Sequence, residues 1–487
     1  MAGKPSKGCN TCRRRKKGCD LQRPVCGQCQ KLKPQLAQQC AYRQGVPWVN
    51  LTPDSVVGSK RPNRGTTATI TLAEPLARSA YQERYLGLFW DFYLPNGRSF
   101  PLESAQFNTG FWMNELHRLF HRREETAIRR ILLAISLSSV GRRDQKPWMV
   151  ENGIKLYGSC LNTLAEQIKQ NIPQVDSNAL ATSRLLSVYE LLHGHDQRDR
   201  LVQVVNWKLH IDGELGFILS RGPESFTTGF AHQMFVDGRT WTYISTSIPI
   251  RTPSPLNSPE WRTIPWRFIP KTAKDLLGDI FAEVPGLLAQ LDELIAAHPG
   301  PDKETKRFEL VQKSSWLLND WTAWGQERAP TTSPLAPATA QAATVFNHFI
   351  AAHIMSGYFA IGIYLHAVLA AASNTCCPPT PFDPMDPVRF FCRKIAEMVP
   401  TFLHPHVGIY GTHGAVFPSI VALTYLEEID GDLSSSEASA FYEVFSIHPK
   451  GTLVKNFVEN MRQRLSGLGK RMFPSDYPSL ISEVELR

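Results

Sequence analysis

The chain has 487 residues, about three times the usual domain size of roughly 150. With 43% apolar and 20% charged side chains it has the balance of an ordinary globular protein, which excludes a wholly disordered or collagen-like chain. Its net charge of +9 is uneven: residues 1–64 carry fourteen Lys and Arg against Asp20 and Asp54, while the remaining 423 carry 39 basic and 42 acidic side chains. A uniformly basic protein is excluded, and a short cationic module that meets a polyanion, joined to a neutral body, is implied.

The first element is the cysteine-rich basic module, residues 1–45. "MAGKPSK" has charge but no apolar stretch behind it, so a secretory signal is not expected and the setting is a reducing one. Six of the ten cysteines crowd into residues 9–40, which in such a setting favours metal ligation over a disulfide frame. Their spacing is Cys9-x2-Cys12-x6-Cys19-x6-Cys26-x2-Cys29-x10-Cys40, two copies of a C-x2-C pair followed by one more cysteine. Each pair lets two thiolates bite one metal from a single turn, and zinc prefers four sulfurs in a tetrahedron. Six ligands overfill one zinc, and two tetrahedral zincs are satisfied only if two thiolates bridge, one from each copy. Two Zn(II) and six thiolates sum to −2, which the run Arg13, Arg14, Arg15, Lys16 and Lys17 offsets while presenting positive charge outward. So small a module has few large apolar side chains, so metal binding must supply its folding free energy.

Residues 46–75, with three prolines before Arg64 and no heptads, read as a flexible linker. Residues 76–487 then turn helical. In "ALATSRLLSVYELLHG", Leu185, Leu186, Tyr189 and Leu192 trace one apolar face. Strand-like alternation is limited to patches such as "MFVDGRTWTYIST", residues 234–246. Pro-rich breaks at 251–259, 328–338 and 376–387 divide the helical body into blocks. The apolar stretch 342–372 carries Asn347, His348, His353 and His366 and lacks membrane-type flanks, so it reads as a buried helix pair of a soluble body. His210 reads as a hydrogen-bonded core histidine. In the acidic tract 427–445, Ser434 and Glu437 have capping-box spacing and read as a helix start in preference to an activation segment. "HGHD" (193–196) and "HPH" (404–406) with His413 lack the helical H-x3-H arrangement of a zinc enzyme. Neither a G-x-S-x-G element, a P-loop nor a dinucleotide fingerprint occurs, so no enzyme is expected.

Residues 9–40, with the basic run, "RPVC" and "CAY" at 40–42, closely resemble the fungal zinc binuclear cluster family, Zn₂Cys₆. The resemblance implies that Cys9, Cys12, Cys19 and Cys26 hold one zinc, and Cys9, Cys26, Cys29 and Cys40 the other. It further implies that Arg15 and Lys16, at the end of a short helix after the second cysteine, contact bases of CGG-type triplets in the major groove. Lys and Arg donors suit the O6 and N7 acceptors of guanine. Arg13, Arg14, Lys17, Lys31 and Lys33 would contact phosphates. The gap between Cys29 and Cys40, with Pro34 inside it, is longer than the family's usual one, and its extra residues are expected to loop out. "FNTGFW" (107–112), "AIRRILLAIS" (127–136), "YELLHG" (189–194) and "WKLHIDGELGFILSRGP" (207–223) resemble the fungus-specific transcription factor domain that accompanies this cluster. The expectation is a small zinc-stabilised binuclear cluster domain plus a large all-α regulatory domain. Its function would be that of a nuclear regulator of RNA polymerase II genes, with double-stranded DNA and the transcription machinery or co-regulators as partners and no membrane. A homodimer through the helical body stays open, as do two rival readings: a zinc-dependent protein-interaction adaptor, and a ligand-binding or enzymatic body with a DNA tether.

Overall fold

The computed structural model describes residues 9–22, 25–31, 40, 74–94, 110, 112–114, 116, 127–169, 177–194, 200–373, 386–448, 450–468 and 472–473. Lys33, the loop between Cys29 and Cys40, nearly all of the linker, the Arg13 side chain and the vicinal Cys376 and Cys377 lie outside them. The chain divides into two compact units, Met1–Thr71 and Leu72–Arg487.

The first unit contains two very short helices, α1 (Asn10–Arg14) and α2 (Gly27–Gln30), which touch each other. Its buried centre is made of sulfur: Cys9, Cys12, Cys26 and Cys29 are each at most 1% exposed, with Cys19, Val25 and Cys40 packed against them.

The second unit is all-α, with no strand among the described residues. It begins with α3 (Glu74–Tyr93), α4 (Ala127–Arg143), α5 (Pro147–Lys169), α6 (Ser177–His193) and α7 (Arg200–Arg221). Helix α4 packs against α3, α5 and α6, and α6 against α7. Ile131, Leu132 and Ile135 of α4 and Leu185, Leu186 and Leu192 of α6 are buried where these faces meet. Helix α7 continues through Gly213 and ends at Gly222, whose φ of 73° lets Pro223 turn into a 3₁₀ segment. His210 accepts or donates a 3.0 Å hydrogen bond with the Tyr157 hydroxyl, as expected of a core histidine.

The patch 234–246 is helical, contrary to its alternating sequence. Helix α8 (Gly229–Gly238) passes through a π-helical turn (Arg239–Ile244) into α9 (Ser245–Ile250). Met234, Phe235, Val236, Tyr243 and Ile244 are all buried, so burial surrounds the segment where a half-exposed strand would show one dry face. Arg239, fully buried inside the π turn, donates to Asp279 Oδ1 at 2.6 Å and lies 4.8 Å from the Trp266 ring centroid.

After α10 (Pro259–Thr263), the long helices α11 (Ala273–Ala296), α12 (Pro301–Glu327), α13 (Ala342–Ala372), α14 (Pro387–Leu403) and α15 (Gly411–Asp430) form the rest of the core, followed by α16 (Ser436–Ile447) and α17 (Gly451–Ser466). The apolar stretch 342–372 is one helix of 31 residues and not a pair. It contains no proline, and its glycines serve contact instead of a turn: the Trp241 ring lies against Gly357 and the Trp321 ring against Gly362, where any Cβ would collide. Helix α13 is long and apolar enough to cross a membrane by length and composition; 61% of its most apolar window is buried against protein. Its neighbours are α11, α12, α14 and α15.

The acidic tract is largely consumed by internal pairing. Arg389, 1% exposed, meets Asp430 and, at 3.3 Å, Glu437; Arg393 reaches Glu437 at 2.8 Å, and Arg462 meets Glu427. The cap of α16 is Ser435, one residue later than expected, because Glu437 is drawn to the two arginines and Ser434 instead donates to Asp432. Replacing Arg389 by Met should remove the arginine that faces the buried Asp430 and leave Glu437 with Arg393 alone, and cost about 3–5 kcal/mol. Arg393→Ala, at a 40% exposed side chain, should cost no more than about 1 kcal/mol. Urea unfolding midpoints of the two variants check the contrast.

Burial also holds three histidines neutral, pushing His210 and His413 down to about 4 and His353 to about 3, the last aided by the charge of Lys274. A depressed folded pKa means that the unfolded chain binds more protons below about pH 6.5, so this contribution to stability is present above that pH and lost as pH falls toward 4. Glu190 and Glu214, raised by burial, act in the opposite sense, so a variant isolates the histidine share. His413→Gln should lose less stability than the parent between pH 6.5 and 4, by up to about 1.4 kcal/mol per pH unit, read from unfolding curves at each pH.

Candidate metal centre

Each C-x2-C pair is placed by its own short helix. Helix α1 starts at Asn10 and carries Cys12, so its first turn brings the Cys12 N–H to 3.3 Å from Cys9 Sγ. Helix α2 follows Cys26 as N-cap and carries Cys29, whose N–H donates to the Cys26 carbonyl at 2.8 Å. The halves are stitched by cross-contacts. The Cys9 N–H donates to Cys19 Sγ and the Cys26 N–H to Cys40 Sγ, each at 3.4 Å. Asp20, unnoticed in the sequence, accepts from the N–H groups of Gln22 at 3.3 Å and Gly27 at 3.1 Å and so starts α2. A lone acid in an otherwise basic segment was the available signal for it.

The six thiols are free and fall into two groups of four, Cys9, Cys12, Cys19 and Cys26, and Cys9, Cys26, Cys29 and Cys40. Within each group the sulfurs lie within 4.8 Å of one another. The groups share Cys9 and Cys26, 3.8 Å apart; Cys9 to Cys29 and Cys12 to Cys26 are both 3.6 Å. A disulfide requires about 2.05 Å. Sulfurs at 2.3 Å from a tetrahedral zinc stand about 3.8 Å apart, so this crowding has the dimensions of shared metal ligation. Among the described residues no other His, Cys, Asp or Glu group has such geometry. His193 instead bonds Ser139 Oγ at 2.9 Å, and His404 Nδ1 accepts from the His406 N–H at 3.2 Å. Cys160 and Cys392 are buried and their thiols are pushed up by burial, the first to about 11.

Electrostatics separates the shared sulfurs from the rest. Burial opposes ionisation of both Cys9 and Cys26, yet hydrogen bonds, first from the N–H groups of Cys12 and Cys29 and then from neighbouring thiols, bring both below the usual thiol range. Burial and crowding push Cys12 up to about 12 and Cys29 higher still. Cys40 is also raised, by burial and the neighbouring thiols against the pull of the Cys26 N–H. A dication placed among them reverses this balance.

The basic run leaves the centre at once. Helix α1 ends at Arg14; the Arg15 and Lys17 N–H groups close the turn on Thr11 O and Cys12 O at 3.1 and 3.0 Å, and Lys16 takes a left-handed φ of 53°. Arg15 and Lys16 therefore lie in the turn after α1, not within a helix that follows the second cysteine. Arg14, Arg15, Lys16 and Lys17 are exposed, as is Lys31 at the end of α2.

Residues 7–48 match the family model described as the fungal Zn(2)-Cys(6) binuclear cluster domain. No curated protein and no solved structure matches the chain. Geometry and match together make the N-terminal unit a small cysteine-cluster zinc domain and support a zinc-dependent, DNA-binding transcription regulator whose second unit is all-α.

Because Cys9 belongs to both groups and Cys12 to one, Cys9→Ser in the full chain should lower retained zinc more than Cys12→Ser does. Elemental analysis after gel filtration checks it, and equal losses would count against shared ligation.

Proposed function

We propose that the chain is a nuclear, sequence-specific regulator of RNA polymerase II genes. In this reading Cys9, Cys12, Cys19 and Cys26 hold one Zn(II), and Cys9, Cys26, Cys29 and Cys40 a second. The observation that carries it is the pair of cysteine groups sharing Cys9 and Cys26, with an exposed cationic turn directly after α1. The metal's chemistry is structural: its binding free energy is folding free energy for a unit whose core is sulfur. No acid–base or nucleophilic work is assigned to the ligands, and the chain is read as a non-enzyme.

Within that frame Arg15 and Lys16 read guanine edges of CGG-type triplets. Arg13, Arg14, Lys17, Lys31 and Lys33 hold phosphates, fixing register without reading sequence. Residues 46–75 serve as linker, and residues 76–487 as the regulatory domain, resembling the fungus-specific transcription factor domain in the segments quoted above. That body is the proposed meeting place for co-regulators and for any second copy of the chain. The −3 balance of the residues after 64 keeps it from competing with the N-terminal unit for DNA.

Two Zn(II) per chain are expected by elemental analysis. Lys16→Ala should cost about 1–3 kcal/mol on the cognate triplet and little on a scrambled one. Lys31→Ala should weaken both alike and reduce the log–log salt slope by about 0.9. Titrations of both variants over a salt series test the assignment, and exchanged behaviour would sink it.

A further inference from the structure

A cavity of about 300 Å³ lies inside the helical unit, between α6, α7, the π turn, α13, α15 and α17. That is within the range of small-molecule sites and has room on the order of ten water molecules. Its walls are chiefly apolar, with the rings of Trp112, Trp207, Trp241, Tyr410 and Phe417 among them.

The polar groups in the wall divide into two kinds. One kind is fully used. Arg184 is ion-paired to Glu214 at 2.8 Å and to Asp237 at 3.4 Å, donates to Met234 O at 2.7 Å, meets the Tyr243 hydroxyl and lies over the Trp112 ring. Its charge is offset twice and is not available to hold an anion. Tyr93 and His413 bond each other at 3.2 Å. The other kind is unpartnered: the indole Nε1 of Trp112, the indole Nε1 of Trp241 and Nδ1 of His353 are buried without a hydrogen-bond partner. An indole N–H can only donate, and a buried donor left unmatched is costly and unusual. His353 and His413 are kept neutral by burial, and the remaining cations in the wall, Lys208 and Arg464, are partly exposed, Lys208 being paired with Asp212 at 2.5 Å. Those atoms are themselves closed off from the cavity, so the buried wall offers it aromatic faces and no spare charge.

We propose that this cavity binds an uncharged, planar, largely apolar molecule, held by the aromatic faces of its wall. The inference stands apart from the DNA reading, since every residue it uses belongs to the unit Leu72–Arg487.

The test uses the full chain and prodan, a neutral naphthyl ketone whose emission reports its surroundings. Saturable, blue-shifted binding of one prodan per chain is expected, together with a raised thermal midpoint. Neutral 2-acetonaphthalene should displace it at least tenfold better than the anion 1-naphthoate. Trp241→Ala and Trp112→Ala, which remove an aromatic wall, should each weaken binding about tenfold, and Val416→Phe, which fills the space, should abolish it. Absence of saturable binding by the parent chain, equal displacement by 1-naphthoate, or binding unchanged in all three variants would overturn the proposal. The first two outcomes decide it even where a variant does not fold.

Discussion

Two groups of four drawn from six thiols must have two members in common, and the N-terminal unit is organised around that constraint. The shared atoms have to be central, so Cys9 and Cys26 each stand at the entrance of a short helix and are wholly buried. The unshared ones follow in the next turn or return from a loop. Hydrogen bonds from the Cys12 and Cys29 N–H groups fall on the same two residues, which are held toward the thiolate while Cys12, Cys29 and Cys40 are pushed the other way. Among the described residues this unit has no other core to fall back on.

The helical unit obeys a different rule. Apolar helices supply most of its interior, but the interior also encloses charge: Arg184 with Glu214 and Asp237, Arg239 with Asp279, Arg389 with Asp430 and Glu437. Each set is balanced locally, as burial requires, and each ties segments far apart in the chain. Such sets specify which helix faces meet, where apolar faces alone tolerate sliding.

Much of the N-terminal unit was legible because metal ligation imposes integer spacing on the chain, and thiols written at C-x2-C announce both their helix and their partners. Asp20 escaped notice because one hydrogen-bond acceptor leaves no periodic trace. In the body, the i, i+3, i+4 spacing of apolar residues marked α4, α6 and α7, although α6 is buried on every side from Leu180 to His193. The same reading took 234–246 for alternation, although Met234, Phe235 and Val236 are buried in succession while Asp237, Trp241 and Thr242 are half-buried, a pattern that is not one of period two. It also took α13 for a helix pair, whereas Gly357 and Gly362 lie against tryptophan rings within one continuous helix. The displaced cap of α16 has a comparable cause: Glu437 has capping spacing but is claimed by arginines some forty residues upstream. The cavity had no sequence signal, since its lining is collected from many separate helices.

The left-handed backbone at Lys16 carries a consequence for how this module varies. A β-branched side chain is strained there, whereas Gly, Asn or an unbranched side chain is tolerated. Residue 16 is thus filtered by backbone conformation before any contact it makes. Substitution at this position is confined to a narrow set of amino acids, whereas the neighbouring Arg14, Arg15 and Lys17 carry no such restriction. Divergence between descendants of this chain would then show as free exchange along the cationic run around one slowly changing site.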